Sequence, residues 1–273
     1  MTFRSIRFRF IKPLTFLALL SGLLFGCTNE KEIEKTVARV LSENPEILTD
    51  AIRNNSLAFV EAIQDAAQNA REEMIQQREL DERQKFEDAF ENPLAPVIRE
   101  DEAIRGNPDA PLVLVEYSDF ECSFCRRGYM TVMELLDRYE GQIQFIYKHL
   151  PLNFHENAML AAQYYESLRL QSDELAHQFH DQVFEQHERI RNGKSFFDSI
   201  AQSIGADMGK LEEKLNSQEV LSRIEEDKRE AAQFGMQGTP GFILNGVPVR
   251  GAMPADHFVE IVNELESRGK VNL

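Results

Sequence analysis

The run Leu112-Val113-Leu114-Val115-Glu116-Tyr117 is almost continuously apolar and rich in β-branched residues, the pattern of a buried central strand. A polar turn follows, Ser118-Asp119-Phe120-Glu121, and then Cys122-Ser123-Phe124-Cys125. Beyond it Met130, Met133, Leu135 and Leu136 fall in helical rhythm. The order strand, turn, C-x-x-C, helix leaves little freedom. It puts both cysteines in a helix's first turn, where backbone N–H groups lack partners and the dipole is positive. That setting favours a thiolate at Cys122. Two intervening residues let Cys125 reach back within disulfide geometry. Cys122 is therefore expected to attack and Cys125 to resolve. Two other uses stay open. A structural zinc site needs four ligands, but there is no second C-x-x-C and His149 and His155 lie at unconvincing spacing. A purely structural disulfide is the other. No metal and no organic cofactor is expected.

The rest of this region reads as an α/β domain. Ile143-Gln144-Phe145-Ile146-Tyr147 alternates as a second strand, and residues from Glu156 to about Phe234 read as helical. One stripe is Ala158, Ala161, Ala162, Tyr165 and Leu168; another is Leu175, Phe179, Val183 and Phe184. Then come Gly238-Thr239-Pro240-Gly241, a strand at 242–244, the hairpin signal Asn245-Gly246, a strand at 247–249 and a last helix near Pro254–Ser267.

The N-terminus is of another kind. Arg4, Arg7, Arg9 and Lys12 precede a short apolar run at 14–25, too short for a comfortable membrane span but suited to an export signal. It ends at Leu24-Phe25-Gly26-Cys27, followed by polar residues, which resembles a bacterial lipoprotein signal. That resemblance implies cleavage before Cys27, lipidation of Cys27 and a membrane anchor; Phe25 is its one departure. An ordinary secretory signal is the plainer alternative.

Residues 32–92 contain no Gly and only Pro45. A short helix near Glu32–Leu41 is expected, then Asn44 as a cap, Pro45 at a helix start, and one long helix. Its stripe is Leu48, Ile52, Phe59, Ile63, Ala66, Ala70 and Met74. A lone helix cannot bury such a stripe on itself, so self-association into a homo-oligomer is expected, with a helical hairpin as the rival. Residues 91–110 read as a linker, with a short strand near Val97-Ile98. The expected division is 1–26 signal, 27–90 helical stalk, 91–110 linker and 111–273 catalytic domain, with a helical insertion at about 155–234.

The formal charge is −16 and the basic excess sits in the N-terminal residues, so nucleic acid is not an expected partner.

Taken together, Glu116–Cys125, Lys148-His149-Leu150-Pro151-Leu152 and Gly238-Thr239-Pro240-Gly241-Phe242 resemble the DsbA-like branch of the thioredoxin superfamily over residues 94–268. The resemblance implies a thioredoxin-like fold with a helical insertion and an extracytoplasmic thiol–disulfide oxidoreductase. It implies a cis Pro240, with Thr239 presenting backbone to a bound peptide beside Cys122, and Glu116 as a buried acid exchanging a proton with Cys125. An exposed strand-end Glu116 is the alternative; His149 and His155 are expected to be structural. Implied partners are exported cysteine-containing proteins and a membrane redox partner, a quinone-linked oxidase or a membrane reductase. Residues Leu41–Leu48 resemble the oligomerisation stalk of ScsC-like and Com1-like members, which implies disulfide isomerisation. A monomeric oxidase and a non-catalytic lipoprotein or chaperone module are the rival functions.

Overall fold

A computed structural model describes residues 30–273. The expected signal and Cys27 lie outside the described residues. The chain divides into two compact units between Gln77 and Arg78.

In the first unit lie helices α1 (Glu30–Glu43) and α2 (Pro45–Asn54), and α3 (Ser56–Glu91) begins. The single long helix expected after Pro45 is thus two. Asn44 does not cap α2 with its side chain; its amide donates back to the Val40 carbonyl at 2.9 Å. Asn55 does the same to Ala51 at 3.0 Å, at the break before α3. Both amides take a carbonyl of the preceding turn, the local competition that places Asn at helix ends. The stripe residues Leu48, Phe59, Ile63 and Met74 are exposed.

The second unit carries the site. Its sheet is β1 (Ile104–Gly106), β2 (Leu112–Ser118), β3 (Ile143–His149), β4 (Gly241–Leu244) and β5 (Val247–Arg250), in spatial order β1-β3-β2-β4-β5. β2 and β3 are parallel, and the other neighbours pair antiparallel. This is a thioredoxin-like fold. The helices are α4 (Ser123–Arg138), α5 (Ala158–Arg169), α6 (Asp173–Glu185), α7 (Lys194–Ser203), α8 (Met208–Lys214), α9 (Gln218–Gln233) and α10 (Ala255–Ser267). Ser172, Asp207 and Ser217 cap α6, α8 and α9 through side-chain oxygens.

Alternation along β2 sorts its side chains between two cores. Leu112 and Leu114 face the larger core with Phe145, Tyr147, Phe242 and residues of α4 and α10. Val115 and Tyr117 face the smaller one with Ile146, Ile243 and Ala231. Glu116, in phase with Leu112 and Leu114, is therefore carried into the larger core.

Two expectations need correction. The stalk expected to reach residue 90 ends in residues of the second unit: Phe90 is buried in its core, Phe86 and Ala89 pack there, and the Arg268 guanidinium lies 4.4 Å over the Phe90 ring. Nor is 91–110 a loose linker with a strand at Val97-Ile98. Those two side chains are exposed, the strand is β1, and the segment is pinned. Leu94 N–H donates to the Gly246 carbonyl at 2.8 Å and Val97 N–H to Glu230 at 2.6 Å. Arg99 pairs with Asp227 at 2.6 Å, and Arg223 pairs with Asp101 at 2.8 Å and Glu102 at 2.7 Å.

Candidate active site

Cys122 caps the N-terminus of α4 in extended conformation (φ −76, ψ 121), and Cys125 lies in the first helical turn. Both thiols are unpaired; Cys122 is 6 % exposed and Cys125 0 %. The asymmetry has electrostatic consequences. The Cys125 thiol hydrogen-bonds the Cys122 sulfur and lowers its pKa from 9 to about 5; burial opposes this, and contacts from Thr239 and the Phe124 and Cys125 backbone reinforce it. The Phe124 and Cys125 N–H groups are among the unpartnered donors of a helix start. Burial first, and then the Cys122 thiolate and Glu116, push the Cys125 pKa well above its usual value.

From β4's side, the Thr239–Pro240 peptide is cis and the Thr239 carbonyl lies 3.6 Å from Cys122 Sγ. A shallow cleft of about 300 Å³, lined in part by Met236, Gly238, Thr239, Pro240 and Arg250, opens beside this loop.

Beneath the dithiol, Glu116 is 1 % exposed, so the exposed-strand-end alternative does not describe it. Burial raises its pKa from 4.5 to about 8, against a hydrogen bond from Ser118 and with added repulsion from Cys122. Its Oε2 is buried without a partner, as is the Tyr147 hydroxyl, and Glu116 and Tyr147 stand side by side in the β2–β3 register.

Thus Cys122, Cys125, Glu116, Thr239 and Pro240 converge. His149 and His155 are held in pairs: His149 with Glu166 at 2.9 Å, His155 with Asp119 at 2.7 Å. The second pair borders the site, because Asp119 N–H donates to Cys125 Sγ at 3.4 Å. Sequence reasoning passed over Ser118, Asp119, Tyr147 and Gly128. Ser118 was legible as the next same-face residue after Glu116 on a strand; Tyr147 was not, since only strand pairing brings it there. Among the described residues no cluster suited to a metal ion occurs. The site brings together a thiol whose ionisation is favoured, a second, fully buried thiol and a buried carboxyl.

The fold and this cysteine pair define a protein of thioredoxin architecture with a redox-competent dithiol. The thioredoxin family model matches residues 98–264, and the chain belongs to that family. It is 30% identical over 165 residues to the Na(+)/H(+) antiporter NhaA 1 of Mycolicibacterium vanbaalenii, a match covering 59% of this chain and 26% of that protein. The chain thus spans about a quarter of the length of the curated relatives it matches. Among solved structures, a thioredoxin-like oxidoreductase from Silicibacter pomeroyi DSS-3 superposes with TM-score 0.54 at 21% identity, covering 62% of this chain and 94% of that one. The catalytic domain of Proteus mirabilis ScsC does so with TM-score 0.54 at 21% identity, covering 67% and 97%. These two likenesses concern the fold.

Proposed function

We propose that the protein is an extracytoplasmic thiol–disulfide oxidoreductase that isomerises or introduces disulfides in exported proteins. The observation that carries this reading is Cys122: its thiolate is stabilised at the start of α4, 3.6 Å from the Thr239 carbonyl, with Cys125 buried beneath. In the reducing direction the Cys122 thiolate attacks one sulfur of a client disulfide. A mixed disulfide forms and the client's other sulfur leaves as a thiolate. Cys125, deprotonated toward Glu116, then attacks Cys122 sulfur and expels the second client thiolate. The client gains two electrons and the protein is left as the Cys122–Cys125 disulfide; the reverse sequence introduces a disulfide. Isomerisation needs no net electron transfer, because a client thiol itself attacks the mixed disulfide and frees Cys122.

The N-terminal export pattern and Cys27 support a lipid-anchored protein with its catalytic domain in the periplasm. Several acyl chains at about 0.8 kcal/mol per buried CH₂ give a stable anchor. Among the described residues no helix is long and apolar enough to cross a membrane. The exposed Leu48, Phe59, Ile63 and Met74 support a homo-oligomer built through residues about 30–77, which favours isomerase over monomeric oxidase. Several tethered dithiols raise the effective concentration of the next thiol at one client. Return of the dithiol to its working state falls to a membrane redox partner, a quinone-linked oxidase or a membrane reductase.

Insulin reduction and reactivation of a scrambled client, compared between the unaltered protein and Cys122→Ser, test the reading. Turnover in both assays, lost in the variant, is expected. Equal activity in the variant would remove Cys122 from the reaction, and no turnover in the unaltered protein would assign the domain to binding rather than catalysis.

A further inference from the structure

Cys125 must lose a proton before it can attack, yet it is 0 % exposed and Glu116 is 1 % exposed. Neither can exchange directly with water. The only hydrogen bond to the Glu116 carboxyl among the described residues comes from Ser118, whose buried hydroxyl donates to Oε1 at 2.7 Å. The backbone leaving Ser118 reaches the resolving sulfur. The N–H of the next residue, Asp119, donates to Cys125 Sγ at 3.4 Å. The Ser118 hydroxyl acts on Cys125 in the sense that eases ionisation, against burial, the Cys122 sulfur and the Glu116 charge. A hydroxyl both accepts and donates, so it can join two groups that do not bond each other. Tyr147 lies close, but its hydroxyl makes no hydrogen bond to Glu116.

We propose that the Ser118 hydroxyl is the proton relay between Cys125 and Glu116, taking the thiol proton as it passes its own to the carboxylate. This rests on the oxidoreductase reading above. The step balances: the Cys125 proton ends on Glu116 by way of Ser118, the Cys125–Cys122 bond forms, and the Cys122–client bond breaks with its electron pair on the client sulfur. The groups facing Glu116 are Cys122 and Cys125 from α4 and Tyr147 from β3, with Asp119 beyond the strand end and His180 of α6 packed on Tyr147. Glu116, with a pKa near the working pH, can take up and release the proton within each cycle.

The reduced protein treated with 5,5′-dithiobis(2-nitrobenzoate) separates the two steps. The first thionitrobenzoate is released by Cys122, the second by Cys125. Ser118→Ala is expected to leave the first phase within about twofold and slow the second by about 10²-fold, the low end of general acid–base effects. Ser118→Thr, which keeps a hydroxyl, is expected to restore the second phase to within about tenfold. In the unaltered protein, the second phase measured across mixtures of H₂O and D₂O should give a curved, two-proton dependence. An unchanged second phase in Ser118→Ala, equal slowing in Ser118→Ala and Ser118→Thr with the first phase intact, or a linear isotope dependence overturns the relay. A first phase no faster than that of an ordinary thiol would instead overturn the oxidoreductase reading itself.

Discussion

Gly128, one turn beyond Cys125 on α4, faces Glu116 so closely that a methyl group there would stand 3.3 Å from Oε1, with Pro240 Cγ at 3.2 Å and the Phe242 ring at 3.1 Å. The dithiol helix, the buried acid and the Thr239–Pro240 loop therefore meet at a position where only hydrogen fits without displacement. Gly128→Ala sets two effects against each other. Helix propensity favours Ala by about 1 kcal/mol, while overpacking costs about 1–3 kcal/mol. A net loss within about 2 kcal/mol is expected in urea melts, together with a larger proportional loss of turnover. Unchanged turnover would show that the contact does not position the site.

Truncation of each cysteine should separate their roles. Cys122→Ala is expected to abolish turnover, because it removes the stabilised thiolate at the helix start. Cys125→Ala is expected to accumulate mixed disulfides with client, visible on non-reducing gels, because the resolving thiol is gone. Trapped client on Cys122→Ala instead would reverse the assignment.

Glu116 and Cys122 pull the pH dependence of stability in opposite directions. The folded pKa of Glu116 is raised, from 4.5 to about 8, so the folded form holds the proton more tightly. Its relative stability is full below about pH 4.5 and is lost as the pH rises through about 8. The folded pKa of Cys122 is lowered, from 9 to about 5, so its contribution is full above about pH 9 and is lost as the pH falls through about 5. Glu116→Gln removes the first effect. Relative to the unaltered protein it should gain stability between about pH 5 and 8 in denaturant melts, while its turnover slows. A stability difference that stays constant with pH would contradict the buried-acid account.

The stalk offers an independent test. Phe59 is 40% exposed and Ile63 53%, on a helix with no buried residue before Phe90. Burial of a large apolar side chain contributes roughly 1.5–3 kcal/mol, before the cost of association is subtracted. Phe59→Glu with Ile63→Glu should yield a monomer by light scattering that still reduces insulin but isomerises poorly. A monomeric mass for the unaltered soluble protein would remove the oligomer from the account.

The strand–C-x-x-C–helix junction was readable because it is local: a β-branched run, a turn and a 3.6 period adjoin one another. Glu116 was legible only through the family resemblance, because a strand's sequence does not say which of its faces is buried. What escaped depends on distant pairing. Tyr147 reaches Glu116 only through the β2–β3 register. The 91–110 segment looked like a linker because its polar residues find partners far along the chain, Arg99 with Asp227 and Asp101 with Arg223. The break at Asn55 was marked only by the weak helix formers Asn54-Asn55-Ser56, without the Gly or Pro that usually ends a helix; there the Asn55 amide takes the Ala51 carbonyl.

The central claim is that Cys122 is the stabilised thiolate and Cys125 the protected resolver. Mass-resolved alkylation of the reduced protein as a function of pH tests it most directly. Cys122 should be modified first, with an inflection near pH 5, while Cys125 stays unmodified through neutral pH. Faster modification of Cys125, or a Cys122 inflection near the ordinary thiol value of about 8.5, would contradict the account.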